Sequence, residues 1–245
     1  MNRINFDFSG QRILVTGASS GIGLEIASQL MAFGAQVYAM GRNRKMLQQL
    51  HADGAQVLAV DVADSAALEQ ALSGLPLLHG LVNCAGVSVL EAANAISAEG
   101  FDRVMAVNAR AAALVASRVA AAMIAGGVHG SIVNVSSQAS LVALDDHLAY
   151  CASKAALDAM TRVQCAEWGR HGIRVNSVNP TVTLTPMAAE AWAAPAKRDP
   201  ALAAIPLGRF AESAEVAGPV LFLLSNAASM ISGVSLPIDG GYTAR

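Results

Sequence analysis

The sequence predicts an α/β protein with a doubly wound, Rossmann-like parallel sheet in a single domain, residues 1–245. Short apolar runs alternate with longer helical segments along the chain, as in a parallel sheet that helices cover on both faces. A glycine-rich loop joins the first apolar run to the first helical segment, which is typical of nucleotide-binding sheets. No linker, repeat or block of charge divides the chain.

The elements follow from these runs in order. Predicted strands cover residues 12–16, 36–40, 56–60, 81–82, 131–135, 174–178 and 234–238. Predicted helices cover residues 21–33, 43–51, 65–72, 101–124, 150–170 and 214–224. Between residues 181 and 208 the alternation stops, and prolines flank Trp192 on both sides. A long irregular connection of this kind is typical of a substrate lid, which we place at about residues 183–210.

Composition excludes several classes of protein. With 54% hydrophobic and 14% charged residues, the chain is too apolar to be disordered. Its net charge of −2 gives no electrostatic footprint for nucleic acid or an anionic membrane, so neither is a predicted partner. The most apolar segment, residues 109–127, contains Arg110 and Arg118 and ends in two glycines. It therefore predicts a helix that is buried or faces another subunit rather than a membrane span.

The cysteines and the first residues predict a cytoplasmic protein. Cys84, Cys151 and Cys165 form neither an even set nor a Cys-x-x-Cys pair, which favours a reducing compartment. No Cys or His pair has the spacing of a zinc site, so no metal is predicted. Residues 1–10 lack the apolar segment of a signal peptide.

The loop at residues 16–23 has the chemistry of a pyrophosphate site. Its glycines permit a tight turn and a close approach of backbone to ligand, and the following helix directs free N–H groups at the anion. An ordinary glycine-rich turn is the alternative, but a strand before the loop and a helix after it favour a dinucleotide. The predicted cofactor contacts here are Gly17, Ser19, Ser20, Gly21, Ile22 and Gly23.

The spacing Gly-x-x-x-Gly-x-Gly resembles the short-chain dehydrogenase/reductase family, and the resemblance extends over nearly the whole chain. Cys84 departs from the family pattern, in which Asn is usual, and Thr181 stands where Gly usually follows the proline. Neither change removes a catalytic group. The later motifs that carry the resemblance are Asn83-Cys84-Ala85-Gly86, Asn108, Ser137, Tyr150-x-x-x-Lys154, Asn179-Pro180 and Asp239-Gly240-Gly241.

The second strand indicates which dinucleotide is bound. An NAD enzyme is expected to place a carboxylate near its end for the ribose 2′-hydroxyl, but no Asp or Glu lies between Glu25 and Asp53. Arg42 and Asn43, with Ser19, instead offer the cation and donors that a 2′-phosphate needs, which predicts NADP(H). A solvated basic start to a helix is the alternative. The resemblance implies further cofactor contacts at Asp61, which also suits a helix cap, and at Val62, Asn83, Ala85, Gly86, Tyr150, Lys154, Pro180, Val182 and Thr185.

Tyr150 and Lys154 are predicted to act together. They lie four residues apart, so on a helix they share one face. Hydride transfer to a carbonyl leaves an alkoxide that needs a proton, and a phenol with a pKa of about 10 is a poor donor unless its phenolate is stabilised. A neighbouring ammonium provides that stabilisation. The resemblance adds that the lysine binds the ribose hydroxyls of the cofactor.

Two serines follow the fifth strand, and one of them is expected to polarise the substrate carbonyl. Ser137 lies 13 residues before Tyr150, a spacing usual in the family, so we predict that Ser137 is catalytic and Ser136 structural. Asn108 resembles the family asparagine that holds a proton-relay water beside the lysine. Helix-interior packing is the alternative for Asn108.

Gln138, His147 and Trp192 are the predicted substrate residues. Gln138 follows the predicted catalytic serine, His147 precedes Tyr150 by three residues, and Trp192 lies in the predicted lid. The alternatives are a surface histidine and a tryptophan that anchors its own loop. With residues 179–182 and 205–212, this set resembles the branch of L-xylulose (dicarbonyl/carbonyl) reductases. That branch implies an NADP(H)-dependent oxidoreductase for a small ketose or α-dicarbonyl substrate, reversible with polyols.

Two other functions and an assembly belong to these expectations. A 3-oxoacyl-thioester reductase would need a basic docking surface for an acyl-carrier protein, which Arg103 and Arg110 would supply in part. A non-catalytic dinucleotide-binding regulator has no need of a proton donor, so the complete catalytic set argues against it. The predicted helix 101–124 is alanine-rich and low in charge on more than one face. It predicts a homotetramer built on this helix, on residues 150–170 and on the last strand.

Overall fold

The computed structural model describes residues 6–185, 188 and 192–244, and the parts of the predicted lid at 186–187 and 189–191 lie outside the described residues. The strands of the main sheet begin with β1 (Arg12–Thr16), β2 (Gln36–Gly41), β3 (Gln56–Ala59) and β4 (Gly80–Asn83). They continue with β5 (Ser131–Val135) and β6 (Arg174–Pro180). A separate pair joins β7 (Thr183–Leu184) to β8 (Ala211–Glu212), and β9 (Ser235–Ile238) returns to the main sheet.

In the described part of the chain the strands other than β7 and β8 form one seven-stranded parallel sheet in the order β3-β2-β1-β4-β5-β6-β9. The fold class predicted from the sequence is confirmed. The chain winds outward from β1 to β3 on one side and from β4 to β9 on the other, so the sheet has a switch point between β1 and β4. Ligands of open α/β sheets bind at the carboxyl ends of the strands beside such a point.

Helices cover both faces of the sheet. They are α1 (Gly21–Ala32), α2 (Arg44–Ala52), α3 (Ser65–Ser73), α4 (Ala98–Met105), α5 (Ala112–Ala125), α6 (Leu148–Trp168), α7 (Pro195–Ala203) and α8 (Ser213–Leu224). Ile13 and Val15 pack in one core with residues of α1 and α8, whereas Leu14 between them packs in a second core with residues of α5. Successive side chains of a strand point to opposite faces, so burial of both faces explains the unbroken apolar runs of the sequence.

The predicted helix over residues 101–124 lies within one continuous helical stretch, Ala98–Ala125, whose middle differs from a regular α-helix. A π-helical turn, Ala106–Ala111, separates α4 from α5 and contains Asn108. The Asn108 amide bonds the backbone of Val87 in both directions, which ties the turn to the loop after β4. The whole stretch Ala98–Ala125 is long and apolar enough to cross a membrane, but 56% of its most apolar window is buried in the molecule.

The segment between β7 and β8 contains a helix that the sequence analysis did not predict. Pro195 occupies the first turn of α7, where a missing N–H costs nothing because first-turn donors have no intrahelical partner. Pro200 lies inside the same helix. The abundance of proline made the segment resemble an irregular loop. The β7–β8 pairing of Thr183 with Ala211 and Leu184 with Glu212 joins its two ends.

Candidate active site

A cleft of about 650 Å³ opens at the carboxyl ends of the strands. It runs from the β1–α1 loop, past the ends of β2, β4 and β5, to the start of α6 and the segment after β6. Most of the predicted site residues line it, although they come from every part of the chain. They are Gly17, Ser19, Ser20, Gly21, Ile22, Gly23, Arg42, Asp61, Val62, Ala85, Gly86, Ser137, Gln138, His147, Tyr150, Lys154, Pro180, Val182, Thr185 and Trp192.

Three predicted site residues do not line the cleft. The Asn43 side chain caps α2 by accepting from Met46 N. Asn83 turns its amide inward, donating to Ala112 O at 3.2 Å and to Asn134 Oδ1 at 2.9 Å. Asn108 is 1% exposed. For Asn43 and Asn83 the structure therefore gives the side chain a structural role.

The glycine-rich loop is packed too closely for side chains. Gly17 has φ +68°, and a Cβ there would lie 2.8 Å from the backbone of Ala85. A Cβ at Gly21 would lie 2.8 Å from the Thr185 side chain across the cleft. Because glycine has no side chain, the backbone at these positions stays accessible from the cleft where the cleft passes between β1 and β4.

The N-terminus of α1 differs from those of the next three helices. Asn43, Asp64 and Ser97 cap α2, α3 and α4 with their side chains. Ser20 makes no such bond at α1, although the first N–H groups of a helix lack intrahelical partners. Because Ser20, Gly21 and Ile22 line the cleft, the uncapped donors and the positive end of the helix dipole face it, an arrangement that suits a phosphate.

The far end of the cleft carries an exposed ion pair. Arg42 Nη1 lies 3.7 Å from Asp61 Oδ2, and their side chains are 59% and 49% exposed. The β2 strand ends at Gly41, directly before Arg42, and Ser19 Oγ accepts from Asn43 N at 3.4 Å. Exposure leaves the guanidinium accessible to an anion that enters this end of the cleft.

The other end of the cleft holds the tyrosine–lysine pair on α6. Lys154 Nζ lies 5.6 Å from the centroid of the Tyr150 ring and donates one hydrogen bond, of 2.8 Å, to Val135 O at the end of β5. Lys154 is only 5% exposed, so its ammonium is fixed beside the phenol with little solvent screening. Asn108 Oδ1 and Lys154 Nζ both lie close to Gly86, each 3.6 Å from the position that a Cβ of this residue would occupy.

The two neighbouring serines point to different partners. Ser136 Oγ donates to the backbone carbonyl of Lys154 at 3.1 Å. Ser137 Oγ accepts a hydrogen bond from Ala139 N at 3.1 Å, which leaves its hydroxyl hydrogen available. Both residues line the cleft, but the hydroxyl of Ser136 is already engaged in holding α6.

The predicted substrate residues line the cleft together with Tyr150. Gln138 is 4% exposed, and its Oε1 is buried without a partner in the described structure. His147 packs edge-on against the Tyr150 ring at 6.0 Å, and its Nδ1 contacts the carbonyl oxygen of Asp145. A carbonyl only accepts, so Nδ1 carries the hydrogen and Nε2 of the neutral ring is an acceptor. Trp192 lines the cleft and packs edge-on against Phe210, with 5.5 Å between the ring centroids.

Thr181 and Cys84 line the cleft, although the sequence analysis did not assign them to the site. Thr181 is 7% exposed, and its Oγ1 has no partner among the described residues. Burial raises the pKa of the Cys84 thiol to about 12, an effect that the nearby Lys154 ammonium only partly offsets. The thiol therefore stays protonated at neutral pH. The other additions are Gly41, Val60, Val87, Ser88, Val107, Val135, Ser136, Leu144, Thr183 and Ala188.

Comparison with known proteins identifies the family. The family model described as "Enoyl-(Acyl carrier protein) reductase" matches residues 17–243. An L-xylulose reductase of Bos taurus is 47% identical, over 96% of this chain and 98% of that protein. A D-threitol dehydrogenase of Mycolicibacterium smegmatis is 43% identical, over 99% and 97%. The chain belongs to the short-chain dehydrogenase/reductase family. The resemblance to L-xylulose reductases predicted from the sequence is confirmed.

A solved structure of the same family agrees with this assignment. The crystal structure of a gluconate 5-dehydrogenase from Burkholderia cenocepacia, in complex with NADP and tartrate, has a TM-score of 0.92. It is 31% identical, over 98% of each chain. This short-chain dehydrogenase/reductase is therefore an oxidoreductase that acts on CH–OH or C=O groups with a nicotinamide dinucleotide.

Proposed function

We propose that the enzyme uses NADP(H) to reduce a carbonyl of a small ketose or α-dicarbonyl, and in reverse to oxidise a polyol. The observation that carries the substrate assignment is that two polar side chains, Gln138 and His147, line the same cleft as Tyr150. The similarity to an L-xylulose reductase and a D-threitol dehydrogenase supports the same class of substrate.

The cleft fits a dinucleotide along its whole length. The uncapped start of α1 accepts the pyrophosphate, and the tight packing at Gly17 keeps side chains out of its path. Arg42, exposed at the end of β2 with no carboxylate on that strand, favours a 2′-phosphate over a 2′-hydroxyl. Pro180, Val182 and Thr185 border the opposite end, where the nicotinamide would supply or take the hydride.

Tyr150 is the proposed proton donor. Lys154, buried within 5.6 Å of the phenol ring, favours the phenolate that remains after the proton has left. Ser137 would donate its free hydroxyl hydrogen to the substrate oxygen, whereas Ser136 holds α6 through the carbonyl of Lys154. Asn108 Oδ1 accepts from Val87 N and, like Lys154 Nζ, lies close to Gly86, a position that suits a relay of the proton to solvent.

The polar groups around the phenol favour a hydroxylated substrate. An apolar ligand would offer the Gln138 amide no hydrogen-bond partner, at a cost of about 1–3 kcal/mol. His147 presents an acceptor at Nε2, so it suits a substrate hydroxyl. A ketose satisfies both groups, and Trp192, in the segment that we propose to be the lid, would cover it.

The test is kcat/KM with NADPH for a ketose, a simple diketone and a 3-oxoacyl thioester, measured in parallel. We expect Gln138→Leu and His147→Leu to lose ketose activity by about tenfold while diketone activity changes less, because the diketone offers no hydroxyl to these groups. Gln164→Leu is the control, since it removes another unpaired glutamine oxygen outside the cleft. A thioester that wins by more than about tenfold would replace this proposal with the acyl-thioester alternative.

That alternative has one supporting observation, the match of residues 17–243 to the family model of enoyl-(acyl carrier protein) reductase. The relatives named above are instead a xylulose reductase and a threitol dehydrogenase. We therefore rank it second.

We further propose a cytoplasmic homotetramer. Apolar side chains remain exposed on α5 and α6, with Leu114 at 43% and Val163 at 55%. Near β9, Met230 is 95% exposed. Exposed apolar groups on these elements favour burial against other copies of the chain. Light scattering at micromolar concentration should give about 100 kDa, four times the 25.1 kDa chain, and a 25 kDa species would contradict the proposal.

A further inference from the structure

A buried carboxyl group lies behind the turn that carries Ser137 and Gln138. Asp158 is 4% exposed and does not line the cleft. It lies on α6 four residues after Lys154 and eight after Tyr150, so the three side chains share one face of the helix. A buried carboxyl group is costly unless it is hydrogen-bonded, so its partners show what keeps it there.

Asp158 joins three segments of the active site. Its Oδ2 accepts from Ser140 Oγ at 2.6 Å and from Asn179 Nδ2 at 2.7 Å. Ser140 ends the 3₁₀ turn that follows Ser137, and Asn179 lies on β6 directly before Pro180. One oxygen atom therefore connects the helix of Tyr150 to the serine turn and to the strand that ends at the cleft.

The available hydrogens fix the direction of these bonds. Ser140 has one hydroxyl hydrogen and two acceptors within reach, Asp158 Oδ2 at 2.6 Å and Ser137 O at 2.8 Å. The contact with Asp158 is shorter, and a bond to a carboxylate is stronger than a bond to a carbonyl, so the hydrogen is assigned to Asp158. Asn179 has two amide hydrogens, of which one goes to Asp158. The other is shared between Ser140 Oγ at 2.7 Å and the backbone carbonyl of Ser137 at 3.2 Å. Asn179 therefore binds the peptide carbonyl of Ser137, and Asp158 in turn binds the amide of Asn179.

We propose that Asp158 is a positioning residue, which fixes the Ser137 peptide through Asn179 and Ser140 and so directs the Ser137 hydroxyl and the Gln138 amide into the cleft. Asp158 itself touches neither substrate nor cofactor. The inference rests on the proposed catalytic role of Ser137. A displacement of about 1 Å at a reacting group costs on the order of a hundredfold in rate. Loss of the carboxyl group should therefore lower kcat and leave the affinity for NADPH unchanged.

The test compares three variants with a matched control. Asp158→Ala removes both bonds, Asp158→Asn keeps an acceptor oxygen for both donors, and Ser140→Ala removes one donor. The control is Thr161→Val, which removes a buried hydrogen bond one turn further along the same helix. Thr161 is 0% exposed and bonds Asn134, which does not line the cleft. For each protein we would measure kcat and KM for 2,3-butanedione, the Kd of NADPH by fluorescence titration, and Tm.

We expect Asp158→Ala to lose about tenfold or more in kcat at unchanged NADPH affinity, Asp158→Asn to recover most of that loss, and Ser140→Ala to lose several-fold. Thr161→Val should lower Tm and keep the wild-type kcat. An Asp158→Ala enzyme that resembles Thr161→Val in kcat overturns the proposal. If Asp158→Ala does not fold, Ser140→Ala decides, and a wild-type kcat there overturns it.

Ser137→Ala, measured in parallel, separates the two ways of failing. If Ser137→Ala loses its rate and Asp158→Ala does not, only the positioning role is lost. If Ser137→Ala keeps the wild-type rate, the proposed catalytic assignment fails, and the positioning role fails with it.

Discussion

The polar groups at the two edges of the sheet differ in whether they have hydrogen-bond partners. At the carboxyl edge, buried oxygens of two residues that line the cleft, Gln138 and Thr181, have no partner among the described residues. At the amino edge the polar groups are paired. Arg12 donates to Leu77 O from its side chain and to His79 Nδ1 from its backbone.

The start of β6, also at the amino edge, is tied down more extensively. The Arg174 guanidinium donates to the carbonyls of Leu224, Ser225 and Ile231 and so closes the end of α8. Unpaired groups cost stability, so the carboxyl edge gives up stability for binding. The difference predicts that substitutions at one edge change activity and substitutions at the other change stability.

The largest effect should come from Tyr150→Phe. Without the proton donor, kcat should fall by about 10²–10⁴-fold, while Tm and the Kd of NADPH stay near those of the wild type. Steady-state kinetics, thermal unfolding and cofactor titration measure the three quantities.

The neighbouring serines provide the control for that experiment. Ser137→Ala should reduce kcat more than Ser136→Ala, because the Ser136 hydroxyl is bonded to the backbone of Lys154. The reverse ranking, or near-normal turnover in Tyr150→Phe, would contradict the assignment of the catalytic groups.

A smaller effect on activity is expected at the exposed end of the cleft. Arg42→Ala should cost on the order of 1.5–3 kcal/mol with NADPH, or about tenfold or more in kcat/KM. With NADH the change should be small, because the guanidinium then has no 2′-phosphate to bind. Equal losses with the two cofactors, or a wild type that prefers NADH, would show that Arg42 does not select the cofactor.

At the amino edge, Arg174→Met should affect stability instead of rate. The substitution keeps the length of the side chain and removes the donors to the three carbonyls, so the free energy of unfolding should fall by about 1.5–3 kcal/mol. Urea unfolding measures this change. A loss of kcat at a temperature well below Tm would break the proposed division between the edges.

The smallest effect is a pH dependence at His79. Burial, and to a lesser extent Arg12, lower the pKa of His79, so the folded protein favours the neutral ring. The corresponding stability is present above the unfolded pKa of about 6.5 and is lost as pH falls below it toward the lowered folded pKa. His79→Asn keeps an acceptor for Arg12 N and removes the titration. The difference in unfolding free energy between the two proteins should therefore shrink as pH falls below about 6.5, and a constant difference would exclude the effect.

The structure brings residues from two local sequence signals into the cleft at the carboxyl edge. The glycine turn and the Tyr150–Lys154 pair depend on spacings of a few residues, and these spacings are visible in the chain. The Asp158–Asn179 contact joins residues 21 apart and the Arg174 cap joins residues 50 or more apart, so neither produces a local pattern. Asn83 was assigned to the cofactor by its motif, whereas tertiary contacts turn its amide toward Asn134.

Local sequence signals were also ambiguous where the same residue types suit two different structures. The prolines around Trp192 suit both an irregular loop and the first turn of a helix, and the structure places α7 there. Ser136 and Ser137 are equivalent by residue type, but in the structure Ser136 donates to the Lys154 carbonyl, whereas Ser137 accepts from Ala139 N.

The π-helical turn at residues 106–111 has a consequence for changes in chain length. Buried residues recur at steps of four from Gly100 through Asn108 and Ala112 to Ala120. Four residues of a regular α-helix rotate by about 400°, so each step adds about 40° of angular drift and the five steps would turn Ala120 to the opposite side from Gly100. One extra residue in the π turn takes back about 100° of that rotation. Deleting a single alanine here would remove that extra residue and leave a regular α-helix whose two halves keep their faces toward the core, whereas the same deletion within α5 would rotate every residue that follows it by about 100°.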